Sequence, residues 1–235
     1  MTTIVALVLS LLFYGLQSRV KVNEEVYNKK AILSAVKTKL SKPLDEMSNE
    51  EIMALFENQV STSAISSAGT KMSTEKIEAL GYGGNSAEDI DMAKEKKKPL
   101  DQRSWPLFKF NADDGNAYYI MAMRGNGLWD EIWGYIALEE DLETIAGVAF
   151  DHKAETPGLG AEIKDSKAFQ KQFIGTKIKD PDGDYAGILV RKGGAKNRTY
   201  EVDGLTGATI TADGVTAMMK DGVQGYAPYF KSLGN

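Results

Sequence analysis

The chain has 235 residues, 43% hydrophobic and 26% charged, a balance that supports a packed domain and excludes wholesale disorder. Its net charge of -5 leaves no positive footprint for a polyanion, so nucleic acid is not an expected partner. With no cysteine and one histidine, His152, thiolate, iron-sulfur and His-rich metal sites are excluded, and any redox chemistry falls to an organic cofactor.

In chain order, the first element is the apolar run MTTIVALVLSLLFYGL, followed by Gln17, Ser18, Arg19 and Lys21, which reads as a membrane anchor over residues 1–18. At 1.5 Å per residue its sixteen residues reach about 24 Å, short of a hydrocarbon core of roughly 30 Å, which points to an incomplete N-terminus. A cleavable signal peptide is the rival reading, against which stand the missing basic n-region and the lack of a small-x-small cleavage site. The cations after the run place the domain on the cytoplasmic side by the positive-inside rule. Residues 19–60 read as a helical stalk: an amphipathic helix over Asn23–Leu40, then one over 48–59 with Ser48 and Glu51 spaced as a capping box. Residues 61–104, rich in Ser, Thr and Ala over 61–74 and then mixed polar to Lys98 with the run KEKKK, read as a solvated, loop-rich insertion. Residues 105–235 read as one α+β domain. WPLFKF, the turn NADDGN and AYYIMAM predict a β-hairpin, and further strands are expected over 132–138, 144–150, 187–192 and 199–202. Helices are expected over 166–174 and 211–222, the latter with Thr211 as its N-cap.

Three segments stand out as carriers of chemistry. In Asp203-Gly204-Leu205-Thr206-Gly207-Ala208-Thr209, small residues precede a predicted helix, where free N–H groups and the helix dipole favour a phosphate; the plainer alternative is a strand-to-helix turn. In Glu155-Thr156-Pro157-Gly158-Leu159-Gly160, Pro157 and Gly158 suit a type II turn that exposes backbone N–H groups and lets a planar ring approach, or an ordinary connecting turn. Arg124-Gly125-Asn126-Gly127-Leu128-Trp129 fails as a dinucleotide fingerprint because position 130 is Asp130; Trp129 and Trp133 then read as core aromatics. Asp180-Pro-Asp-Gly-Asp184 does not keep calcium-loop spacing and reads as a turn, and a lone His152 reads as structural.

Together these strings resemble the NqrC/RnfG family of FMN-binding proteins, found in sodium-pumping NADH:quinone reductases and in Rnf complexes. The first fits that family's D-x-x-[ST]-G-A-T motif at every defining position; the others match its E-T-P-G-L-G and G-x-G-L-W segments, in the same order. The resemblance runs from about Trp105 to the C-terminus. It implies FMN esterified to Thr209 by a dedicated flavin transferase that draws on FAD, so the chain itself supplies no catalytic residue. It implies flavin contacts from Thr206, Gly207, Ala208, Ile210 and Thr211, from Trp129, and from Glu155, Thr156, Gly158, Leu159 and Gly160. It further implies an electron relay from NADH toward ubiquinone coupled to sodium export, partnership with other membrane and NADH-oxidising subunits, and a domain on the periplasmic side of a bacterial inner membrane. The long segment before Trp105 and the string GNGLWDEIWGYIAL favour the NqrC branch over the RnfG branch. A flavin-free membrane-tethered assembly module is the alternative from another functional class.

Overall fold

The computed structural model describes residues 2–234. Met1 and Asn235, at the outer ends of the expected anchor and domain, lie outside them. The first helix, α1 (Thr2–Leu33), runs through the apolar segment and on into the part expected as a separate amphipathic helix. It gives way at Leu33 to a 3-10 turn, Ser34–Lys39, where Val36 leaves helical dihedrals, so Leu40 lies outside the helix. Ile4, Leu7, Leu11 and Phe13 are all exposed. Among the described residues no single helix is long and apolar enough to cross a membrane; Ile4–Gln17 and Arg19–Lys39, bent by 46°, pass that test only together. The next helix, α2 (Asn49–Gln59), begins as the sequence indicates. Ser48 Oγ accepts from the Glu51 N–H, and the Glu51 carboxylate accepts from the Ser48 N–H.

The stretch from 61 to 98 is not the solvated insertion its composition suggests. Val60–Ser66 forms β1, the edge of a five-stranded sheet, with only Ala64 and Ile65 buried. An edge strand with two core side chains carries little hydrophobic signal, and pairing with its neighbour supplies the rest. Short helices α3 (Thr74–Glu78) and α4 (Met92–Glu95) follow, and Ile77, Ala87 and Ile90 close a small core against Ala64. The Glu95 of KEKKK is fully buried, its carboxylate accepting from the Ser104 N–H (2.8 Å), the Tyr82 hydroxyl (2.6 Å) and Lys98 Nζ (2.7 Å).

The remaining strands of the sheet, β2 (Ser104–Asn111), β3 (Ala117–Asn126), β4 (Glu131–Leu138) and β5 (Ile145–His152), pair in sequence order as an antiparallel meander. Both faces are covered. Trp105, Met121, Met123, Ile136 and Phe150 point into one core; Phe108, Phe110, Tyr118 and Ile120 point into another closed by α1, the 3-10 turn and α2. This double burial explains why the strand sequences read as nearly unbroken apolar runs. After β5 come α5 (Glu162–Asp165) and α6 (Lys167–Lys171), the latter shorter than expected. Asp180 to Asp184 form a turn, with Asp180 Oδ1 accepting from the N–H groups of Asp182 and Asp184. A separate parallel pair, β6 (Leu189–Arg191) with β7 (Glu201–Asp203), precedes the last helix, α7 (Thr209–Leu233).

The helix α7 starts two residues earlier and runs eleven residues further than its predicted 211–222 span. Gly222, where the predicted helix ends, and Gly225 both lie inside α7 and serve packing. A Cβ at Gly225 would stand 2.2 Å from Trp105 Cζ2, so the missing side chain lets α7 lie down on β2. The result is a mixed α/β domain in which the end of the sheet carrying the β3–β4 connection and the end of β5 meets the first turn of α7.

Candidate functional site

The three motif segments meet at that end of the sheet. Glu155, just beyond β5, is 5% exposed, and its carboxylate joins the other two segments. One oxygen accepts from the Trp129 N–H at 2.9 Å, and the other from the Thr211 hydroxyl at 2.6 Å. Burial alone would raise its pKa. The hydrogen bonds from Thr211 and from the backbone N–H groups of Trp129, Leu128 and Asp130 outweigh burial and hold the carboxyl below its ordinary value. Space around it is closed: a Cβ at Gly160 would fall 2.4 Å from Thr211 Oγ1 and 2.7 Å from the Glu155 carboxylate. His152 has the structural role expected of it, its Nδ1 accepting from the Glu155 N–H at 3.2 Å.

The turn at Thr156–Leu159 has the expected form. Gly158 has φ +82° and the Leu159 N–H closes on the Thr156 carbonyl at 2.9 Å, as in a type II turn. The expectation that it offers free N–H groups is overturned. Gly158 and Gly160 both donate to the carboxylate of Glu162, whose pKa these bonds lower, and Ala161 donates back to Thr156. What the turn presents outward is Thr156, Pro157 and the 41% exposed Leu159.

The Gly204–Ala208 loop abuts this turn: a Cβ at Gly207 would come 2.8 Å from the Gly158 carbonyl oxygen. Ala208 is buried, Thr206 and Gly207 are exposed, and Thr209 is half-buried as the first residue of α7. Thr211 is not the N-cap, because its hydroxyl is committed to Glu155; Ala208 holds that position and provides no side-chain cap. By contrast α2, α4 and α6 are all capped by a Ser or Asp side chain. The first N–H groups of α7 thus lack a side-chain cap beside Thr209, an arrangement that suits an anionic oxygen.

A cleft of ≈ 300 Å³ opens between this loop and the β6–β7 pair, lined by Lys192, Gly193, Leu205, Thr206, Gly207 and Thr209 among others. Its far wall is held by Asp203, which accepts from the Ala195 N–H (2.7 Å) and Arg198 Nη2 (2.6 Å). Lys192 escapes sequence reasoning because a lysine beside a Gly-Gly pair has no motif, and only the fold brings it to Thr209. Trp129 is 63% exposed and Ile210 57% exposed, so Trp129 is not a core aromatic. Trp133 is half-buried, with Arg124 lying 5.0 Å over its ring. Trp129 and Leu159 of two motif segments, and Ile210 directly after the third, therefore present large apolar side chains on the outer surface around the Glu155 junction.

These features fit a flavin nucleotide: a helix start without a side-chain cap and a lysine for phosphate, exposed apolar side chains for a ring, and a threonine hydroxyl at the cleft. A family model described as an FMN-binding domain matches residues 127–224, which hold all three segments from Gly127 onward. The C subunit of the Na(+)-translocating NADH-quinone reductase of Pseudomonas aeruginosa is 31% identical over 201 residues, spanning 77% of this chain and 74% of that protein. The protein of the same name from Neisseria meningitidis serogroup A is 36% identical over 130 residues, a match spanning only 50% of its length. Among solved structures, the crystal structure of the C subunit from Parabacteroides distasonis superposes with TM-score 0.75 at 31% identity, covering 92% of this chain and 96% of that one. Shewanella oneidensis NqrC superposes with TM-score 0.71 at 25% identity, covering 92% and 99%. The chain belongs to the NqrC family, the C subunits of the Na(+)-translocating NADH-quinone reductases.

Proposed function

We propose that this chain is the component of a Na(+)-translocating NADH:quinone reductase that carries FMN as a phosphoester on Thr209 and relays electrons on their way from NADH to quinone. The convergence of three sequence-distant segments on the buried Glu155–Thr211 pair, beside Thr209 at the start of α7, carries this reading. FMN supplies one- and two-electron redox chemistry, and the protein's part is to hold and orient it. Thr209 offers the hydroxyl for the ester, and the first turn of α7 with Lys192 offers positive potential for the phosphate. Trp129, Leu159 and Ile210 offer apolar surface for the ring. Ala208 and Gly207 keep the loop narrow, while Thr206, Thr156, Gly158 and Gly160 complete its border.

In the same proposal α1 anchors the chain in a bacterial inner membrane, with the domain on the periplasmic side and residues 105–235 forming the flavin-bearing unit. The other subunits are its redox partners, a flavin transferase matures it, and the complex couples electron flow to sodium export. Expression with the transferase, followed by denaturing electrophoresis under ultraviolet light, tests the central point. A fluorescent band that disappears in Thr209→Ala supports the proposal. A dark band in the wild-type chain coexpressed with the transferase favours a flavin-free tethered module.

A further inference from the structure

Away from the proposed flavin site, on the face of the sheet covered by α1, two adjoining clefts run along β5. The first, of ≈ 280 Å³, lies between α1 and the sheet, with Tyr27, Trp133, Tyr135, Ala149 and Phe150 in its lining. The second, of ≈ 220 Å³, continues past the 3-10 turn over Ala35, Gly147, Val148 and the 44% exposed Ile174. Ser34, Lys37 and Gln170 line both, so the two form one trough. None of the residues assigned to the flavin lines it.

The charge on its rim is one-sided. Lys30, Lys37 and Lys164 border the first cleft and Lys37, Lys167 and Lys171 the second, whereas Asp151 is the one acid in the lining. Asp151 is already engaged, accepting from the Tyr27 hydroxyl (2.9 Å) and pairing with Lys164 (2.9 Å). Lys30 reaches Asp45, a fully solvated partner outside the trough. Lys37, Lys167 and Lys171 make no ion pair among the described residues. Lys37 donates to the buried Gln170 Oε1 at 3.1 Å, and Gln170 is fixed in turn by donating to the carbonyls of Ile163 and Lys164. A chain with net charge -5 thus gathers five lysines around an apolar, aromatic floor. Like charges held together raise the local positive potential, and an anion between them removes the repulsion. The aromatic floor adds area for an apolar body, since pockets of this size take small ligands through apolar contact and a few polar anchors.

We infer that this trough is a binding site for an organic anion, a carboxylate on an apolar body, with the head between Lys37 and Lys167 and the body along Trp133, Tyr135 and Ala149. Its occupant is either an aromatic acid, seated against Trp133, or an acyl acid, lying along the continuous trough. Calorimetry and tryptophan fluorescence on the full chain distinguish these sources, with 2-naphthoate and decanoate as probes and 2-naphthalenemethanol, decanol and acetate as controls. At least one of the two acids is expected to saturate at one per chain, tenfold or more tighter than its alcohol, with no saturation by acetate. Tighter binding of naphthoate identifies the aromatic class, and of decanoate the acyl class. The double variant Lys37→Gln/Lys167→Gln is expected to weaken binding at least tenfold, with an unchanged melting temperature, and Lys37→Arg/Lys167→Arg to restore it. The inference is overturned if neither acid saturates, if an alcohol binds as well as its acid, or if the glutamine variant binds like wild type. Flavin loading of the glutamine variant should match wild type, so failure of the trough and failure of the Thr209 reading are separable.

Discussion

Glu155 shows how a single buried side chain holds a site together. It ties the β3–β4 connection to the start of α7, accepting from the Trp129 N–H and the Thr211 hydroxyl among its donors, in a space that Gly127 and Gly160 leave only by lacking side chains. Replacing it with glutamine removes the charge and turns an amide N–H toward one of those donors. The expected cost is about 1–3 kcal/mol, the usual penalty for a buried donor left without an acceptor. In urea unfolding Glu155→Gln should therefore shift the midpoint down, and loading by the transferase should fall with it. Because its folded pKa is depressed, Glu155 contributes stability that is present above its unfolded pKa and lost as pH falls through the folded value. The glutamine variant should accordingly lose part of the acid dependence of wild-type stability. Gly160→Ala makes a steric test of the same junction. At φ +149° with the Thr211 hydroxyl 2.4 Å from an added Cβ, it should lose stability comparable to the Glu155 variant. Both residues were nameable from the E-T-P-G-L-G string, but not their mode of action. Glu155 points inward to backbone N–H groups, and the turn's own donors are taken by Glu162, so the proposed phosphate would have to rely on the start of α7.

At the scale of elements, α2 and the β2–β3 hairpin were legible because their signals are local: a Ser48–Glu51 box in one case, apolar runs across a short Asn/Asp/Gly turn in the other. Ser48→Ala should cost about 1 kcal/mol by urea unfolding while leaving flavin loading unchanged. The stretch from 61 to 98 was misread because its order comes from long-range contacts. Val60–Ser66 is a strand only beside β2, and Glu95 lies 9 residues from the Ser104 N–H it accepts. Glu95→Ala strips the Ser104 N–H of its acceptor and should expose Tyr82 and α4 to early hydrogen exchange, with α2 protected as in wild type. The β6–β7 pair makes a pH prediction. Arg191, with the N–H groups of Lys196 and Asn197, holds the Glu201 carboxyl at about 2 instead of 4.5, so it stabilises the wall of the Thr209 cleft above pH 4.5. That contribution is lost as pH falls from 4.5 toward about 2. Hydrogen exchange of residues 192–198 should accelerate through this window in wild type and be fast throughout in Glu201→Gln.

The whole molecule is a sheet covered on both faces, with the site at one end and α1 crossing the face opposite α7. Its α+β character and the order of its motifs could be read from residues alone. The way α1 continues from an exposed apolar segment into the core at Val26, Ile32 and Leu33 could not, because an apolar run and an amphipathic run join without any break signal. The proposed relay ties this architecture to one covalent bond. The most direct test is the mass of the proteolytic peptide containing Thr209, taken from the full chain matured with its flavin transferase. A peptide heavier by one FMN less one water, with fragmentation placing the addition on Thr209 and none present in Thr209→Ala, is the predicted result. An unmodified peptide from the fully matured chain would contradict the account.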